Sequence, residues 1–196
     1  MRYIIAGLGN KGEKYEGTRH NAGRVAVEHF RKTQDFPGWK EDAKRGYLIS
    51  KGVIGKHPVL LVLPERFMNT SGTVLKPLVS EREGAEKLVV VHDDIDLGLG
   101  DYKISFGRSS GGHRGVESII KALKTKNFTR VRIGISPVTT GGKVKKPRGE
   151  EKVLEFLLGV FQKKEELARS RSAKKIDEML RAIVTKGRSA AMNAFN

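Results

Sequence analysis

Short uninterrupted apolar runs alternate along the chain with longer stretches striped at helical spacing. Tyr3-Ile4-Ile5-Ala6, Val59-Leu60-Leu61-Val62-Leu63 and Leu88-Val89-Val90-Val91 contain no polar position, the pattern of strands buried on both faces of a parallel sheet. Further strands are predicted over residues 47–54, joined to 58–63 by a turn near Gly55-Lys56-His57, then over 88–92, 102–106 and 130–136. Ala22, Val25, Ala26, His29 and Phe30 fall at i, i+3, i+4, i+7 and i+8, the stripe of a helix beginning near His20 with Thr18 as its cap. Helices are also expected around 68–80 and 113–125. Ile176, Met179, Leu180, Ile183 and Val184 mark a C-terminal helix near 162–186, stopped by Gly187. Residues 33–46, with Phe36-Pro37-Gly38, read as a loop, and residues 139–150 as a mobile basic loop with too little apolar content to pack. This alternation predicts an α/β domain with a mixed, mainly parallel sheet.

A length of 196 residues suits one domain with a sizeable core. The absence of cysteine excludes disulfides, thiolate metal sites and a thiol nucleophile. Met1-Arg2 leads at once into a strand, with no signal region and no apolar stretch of membrane-spanning length, so a soluble intracellular protein is expected. The net charge of +16 changes the picture most, because so basic a domain gains by meeting a polyanion. Lys103, Arg108, Arg114, Lys121, Lys124, Lys126, Arg130 and Arg132 crowd residues 98–132 against only Asp101 and Glu117. Nucleic acid is the partner this favours, ahead of mere solubility or an anionic membrane surface.

Candidate chemistry clusters where the apolar runs end. Asn10, Asn69 and Asp93 follow three of them, and ligands of parallel sheets lie beyond the carboxyl ends of the strands. With His20 close behind, two amides, an imidazole and a carboxylate point to hydrolysis by activated water. A helix N-terminus disfavours imidazolium, which predicts a neutral His20 suited to a general base, with Asp93 holding one ring nitrogen. Helix capping and an ion pair with Arg19 are the structural alternative. Gly7-Leu8-Gly9-Asn10-Lys11-Gly12 matches the dinucleotide pattern, but no helix stripe opens within it and no second strand ends in an acid at the required distance. His92-Asp93-Asp94-Ile95-Asp96 with His20 and His113 could form a metal site, although a solvated turn is commoner for such a stretch. His29, on an apolar helix face, reads as a packed histidine. Gly111-Gly112-His113-Arg114-Gly115 enters a helix whose first N–H groups could bind an anion or oxyanion.

In order along the chain, these pieces closely resemble the bacterial-type peptidyl-tRNA hydrolase family. The matching residues are Gly7-Leu8-Gly9-Asn10 with Gly12 and Tyr15, Thr18-Arg19-His20-Asn21-Ala22-Gly23, Phe67-Met68-Asn69 with Ser71-Gly72, His92 to Leu97, Gly111-Gly112-His113 with Gly115, Arg130 to Ile135, and Leu158-Gly159 with Phe161. The resemblance implies a twisted mixed sheet surrounded by helices. It also implies hydrolysis of the ester joining a peptide to the terminal ribose of tRNA, in the cytoplasm, by a monomer needing neither metal nor organic cofactor. By the same resemblance His20, Asp93, Asn10 and Asn69 are catalytic, and Tyr15, Phe67, Met68, Asn69 and His113 bind substrate. Arg114 is a candidate for contact with a tRNA phosphate or the substrate carbonyl, but the family's role for that position does not carry over to it. Lys103, Arg108 and Arg132 are candidates for gripping tRNA. Lys11 replaces the family's usual proline, and Arg114 its usual asparagine, so a group that donates and accepts has become a donor-only cation. A non-catalytic RNA-binding relative of the same fold is the alternative, against which the retained quartet argues.

Overall fold

The computed structural model describes residues 2–79 and 84–196. Its strands are β1 (Tyr3–Gly7), β2 (Lys40–Asp42), β3 (Tyr47–Ile54), β4 (His57–Pro64), β5 (Leu88–Gly98), β6 (Tyr102–Phe106) and β7 (Thr129–Ser136). Its helices are α1 (Ala22–Thr33), α2 (Ser71–Leu75), α3 (Arg114–Leu123), α4 (Glu150–Leu158), α5 (Glu166–Lys186) and α6 (Arg188–Phe195). One seven-stranded sheet has the order β2-β3-β4-β1-β5-β7-β6. Its centre, β4-β1-β5-β7, is parallel, and β2, β3 and β6 extend it antiparallel at the two sides.

The central runs are apolar throughout because both faces are covered. Tyr3, Ile5, Val59, Leu61, Val89 and Val91 pack with α1 and α5 residues such as Val27, Phe30, Ile176 and Leu180. Their alternating neighbours Ile4, Ala6, Leu60, Val62, Leu88 and Val90 pack with Val74 and Leu75 of α2 and Val116 and Ile119 of α3. Each fully buried Leu, Ile or Val contributes roughly 1.5–3 kcal/mol of burial. Polar residues are thereby confined to the ends of the sheet, where a site can form.

Several expectations change. The predicted loop 33–46 contains β2, paired antiparallel with β3. The predicted strand 88–92 runs on through Asp93 and Asp94 to Gly98, with a register shift against β7. The predicted helix 68–80 is a 3-10 turn Met68–Thr70, α2, and a second 3-10 turn Lys76–Leu78 containing Pro77, which has no N–H to continue the α-helix. Residue 80 lies outside the described residues. The helix expected near His20 begins with a 3-10 turn, Arg19–Asn21, before α1, and the Thr18 hydroxyl donates to Tyr15 O at 2.7 Å instead of capping. The buried face of α1 is Gly23, Ala26, Val27 and Phe30, whereas Val25 is 43% exposed. Gly23 explains the rotation: a Cβ there would lie 2.2 Å from Val91 O, so the helix turns its glycine onto β5.

Residues 137–149 hold an isolated pairing of Val138 with Val144, and Lys146 forms an ion pair with Asp96. Gly187 ends α5 at φ 86°, and α6 then packs Ala191 inward. The Asn196 side chain joins both main-chain groups of Ile104 on edge strand β6, covering part of that edge. Among the described residues no helix is long and apolar enough to cross a membrane.

Candidate functional site

The glycines after β1 serve close packing. A Cβ on Gly7 would lie 2.6 Å from Gly23 O, and one on Gly9 would lie 2.9 Å from Asn21 Oδ1. Only a short 3-10 turn, Glu13–Tyr15, follows them, which removes the dinucleotide reading. Asn21 then clamps the chain leaving β1: its Oδ1 accepts from Asn10 N at 2.8 Å and its Nδ2 donates to Asn10 O at 3.1 Å. Asn10 is thus tied to the residue after His20. Its own Oδ1 accepts from Met68 N at 2.8 Å, which orients the amide and leaves Nδ2 as a free donor. Asn69, one residue further, is exposed, as is Phe67 at 66%, while Met68 is buried. Tyr15 is partly buried with Lys14 over its ring.

β5 brings Asp93, almost fully buried, to the turn preceding α1. His20 Nδ1–H donates to Asp93 Oδ1 and Oδ2, both at 3.0 Å, and His20 Nε2 is left free to face a cavity of about 340 Å³. His113 reaches the same carboxylate from α3, its Nε2 lying 3.1 Å from Oδ1. The other His113 nitrogen caps α3, accepting from Gly115 N at 3.1 Å and Val116 N at 3.3 Å. An Nδ1 that accepts carries no proton, so the ring is the neutral Nε2–H form and a fixed donor to Asp93. The N–H groups expected to bind an oxyanion are therefore occupied by the helix's own cap.

Burial disfavours a charged His20, yet the Asp93 charge and hydrogen bond outweigh it, with Arg114 opposing, so its pKa lies above the ordinary value. The helix dipole does not dominate here: a carboxylate in contact exceeds half a charge spread over a 3-10 turn. Burial pushes Asp93 up, but His20 and His113 together hold it well below the usual carboxylate range. Burial, then His113, drives His92 well below the ordinary histidine value. Strand alternation turns His92 away from Asp93's side chain, its Nδ1–H donates to Asp93 O at 2.7 Å, and its ring packs edge-on against His113. His20, Asp93 and His113 offer ligand atoms within 4.8 Å of one another. They suit a metal poorly, because a metal on His113 Nε2 needs a proton on the nitrogen that two main-chain N–H groups already face.

Arg19 anchors this turn. Buried, it donates to both Glu165 oxygens at 3.0 and 2.8 Å and to Ile135 O at 3.2 Å, between the rings of Phe156 and Phe161. Burial opposes the Glu165 charge, but Arg19 and the Gln162 N–H hold its carboxyl below the ordinary range. The partner of Arg19 is thus Glu165. His29 lies 3.5 Å from Asp177 at the edge of a cleft, in a partly packed role.

The cavity beside His20 is walled by Ile95 and by Val153, Leu154 and Leu157 of α4, a helix absent from the expectations above. Arg114 and Glu150, both at its mouth, form an ion pair linking the starts of α3 and α4. Asp94 and Asp96, read as a solvated turn, instead pair with Arg132 and Lys146. Lys103 and Arg108 are exposed.

The family model for peptidyl-tRNA hydrolase matches residues 4–196. The chain belongs to the peptidyl-tRNA hydrolase family. It is 37% identical to the peptidyl-tRNA hydrolase of Thermodesulfovibrio yellowstonii over 199 residues, covering 98% of each chain. It is 39% identical to that of Aquifex aeolicus over 182 residues, 92% of this chain and 89% of the relative. The crystal structure of peptidyl-tRNA hydrolase from Acinetobacter baumannii superposes with a TM-score of 0.88 at 30% identity, covering all of this chain and 94% of the other. Family membership extends to the α4 and α6 segments that periodicity alone had not separated.

Proposed function

We propose that this protein hydrolyses the ester between a peptide, or an N-blocked aminoacyl group, and the terminal ribose of tRNA, recycling tRNA from prematurely released chains in the cytoplasm. The observation that carries this reading is His20 held through Nδ1 by buried Asp93 with Nε2 free toward the cavity. Nε2 takes a proton from water as that water attacks the ester carbonyl, Asp93 stabilises the imidazolium that forms, and the imidazolium returns the proton to the ribose oxygen as the acyl–oxygen bond breaks. The Asn10 amide, oriented by Met68 N, offers Nδ2–H to the water or the carbonyl, and exposed Asn69 binds the peptide backbone. Ile95 and the apolar side of α4 accept the acyl group's side chain. Lys103 and Arg108, neither with an acidic partner among the described residues, grip phosphates of the acceptor stem. Arg132, committed to Asp94 at 2.6 Å, offers less free charge. All these groups come from one chain, so a monomer suffices.

An N-blocked aminoacyl-tRNA incubated with the protein should release free tRNA, at a rate a chelator leaves unchanged. Binding without release would favour the RNA-binding alternative.

A further inference from the structure

At the amino-terminal ends of the central strands, opposite the His20 site, three cations gather around a pocket that Glu86 alone lines with an acid among the described residues. A pocket of about 270 Å³ there is lined by Tyr3 and Thr129, the first residues of β1 and β7, by Lys87 just before β5, and by Lys186, Gly187, Arg188 and Ser189 where α5 turns into α6. Lys87 Nζ donates to Tyr3 Oη at 3.0 Å and sits over that ring, and the Arg188 guanidinium lies 3.4 Å from the Phe106 ring centre. Aromatic contacts thus position both cations. Neither they nor Lys186 form an ion pair among the described residues, and exposed Glu86 is the acidic residue at the rim.

Thr129 supplies a second, independent sign. Its side chain shares the sheet face of Val131 and Ile133, on which α5 and α6 pack, and it is 1% exposed. Its hydroxyl has no partner among the described residues and is not one of the fully buried unpartnered atoms, so it opens toward the pocket that Thr129 lines. The first N–H groups of α6, entered through Gly187 at φ 86°, open beside it.

We propose that this pocket is a second anion site that binds a phosphate group between Lys87, Lys186 and Arg188, with the Thr129 and Ser189 hydroxyls and the start of α6 as donors. The seven residue-to-residue steps from Tyr3 to Asn10, at about 3.3 Å each, separate it from the His20 end by roughly 20 Å, so its phosphate is not that of the ester's own nucleotide. An RNA backbone phosphate and a small phosphate-bearing molecule share the required chemistry.

The test is an amide NMR titration of the full chain with inorganic phosphate, ionic strength held constant with chloride. Saturable shifts are expected at Gly187, Arg188, Ser189 and Thr129. Lys186→Gln, at an exposed position, and Thr129→Val, close to isosteric, should each weaken binding by about tenfold. Both variants should keep their remaining spectrum and their turnover of N-blocked aminoacyl-tRNA. A parallel titration with an RNA hairpin lacking the CCA end identifies the source: shifts at the same amides, reduced by Lys186→Gln, assign RNA, and a response to phosphate alone assigns a small ligand. Shifts that do not saturate, or that both variants leave intact, overturn the site.

Discussion

At the residue scale, His20 is governed by two opposed effects, burial against the Asp93 charge, and the charge wins. Only neutral His20 can accept a proton, so kcat/KM should rise with pH through an apparent pKa above the ordinary value of about 6.5. Asp93→Asn removes the charge and leaves the burial, so the rising limb should move to lower pH while the plateau falls through loss of tautomer control. A pH–rate profile checks both, and a limb that stays in place separates the two residues. His113→Ser keeps a helix cap but removes a donor from Asp93, whose freed charge should carry the limb upward. His20→Ala should cost ~10²–10⁴ in rate with tRNA affinity retained. The same shifts bear on stability with opposite signs. The His20 contribution is full below its unfolded pKa and fades as pH rises through the folded one, and that of Asp93 is full above its unfolded pKa and fades as pH falls. The His20–Asp93 pair was legible because Asp93 follows an apolar run and His20 opens a helical stripe. The role of His113 was not, because it depends on which ring nitrogen meets the α3 N–H groups, and that is a matter of rotamer.

At the element scale, one ion pair ties the His20 turn to the start of α5 through Arg19 and Glu165, another ties α3 to α4 through Arg114 and Glu150, and their burial separates them. Arg19 and Glu165 have side chains 7% and 9% exposed, whereas Arg114 and Glu150 stand at 62% and 82%. Glu165→Gln leaves a buried guanidinium without its counter-charge and should cost about 3–5 kcal/mol, seen as a large fall in Tm. Glu150→Gln should leave Tm nearly unchanged, since an exposed pair adds little. It should act on substrate instead. Freed from Glu150, Arg114 can meet a tRNA phosphate, so KM should fall with kcat altered less than about tenfold, while Arg114→Asn should raise KM. An unchanged KM in both variants would remove Arg114 from substrate binding. Helix α4 was readable in principle from Val153, Leu154, Leu157 and Leu158, but the polar loop before it masked its start. The extension of β5 was hidden for another reason: Asp94 and Asp96 stay in a strand because Arg132 and Lys146 neutralise them, and those partners are remote in sequence.

At the scale of the whole molecule, strand order decides where the charge can act. Local pattern foretold every strand but β2, and the parallel core, but not that β1 would lie between β4 and β5, which draws Asn10, Asn69 and Asp93 to one end of the sheet. The same order places Lys103 opposite Arg132, and Arg132 opposite His92, in neighbouring strands. Two strand spacings of about 4.8 Å put Lys103 roughly 10 Å from the backbone next to Asp93, within reach of a phosphate close to the bound ester. If that contact is made, affinity for tRNA should fall with salt at a log–log slope of roughly −0.7 to −0.9 per phosphate neutralised, and Lys103→Ala should reduce the slope by nearly one such unit. Since a phosphate held there is bound alike before and during ester cleavage, the loss should appear in KM with kcat nearly constant. Filter binding across a salt series, paired with steady-state rates, measures both quantities. A slope indifferent to Lys103, or a loss confined to kcat, would show that the excess positive charge of this chain does not guide tRNA by this route.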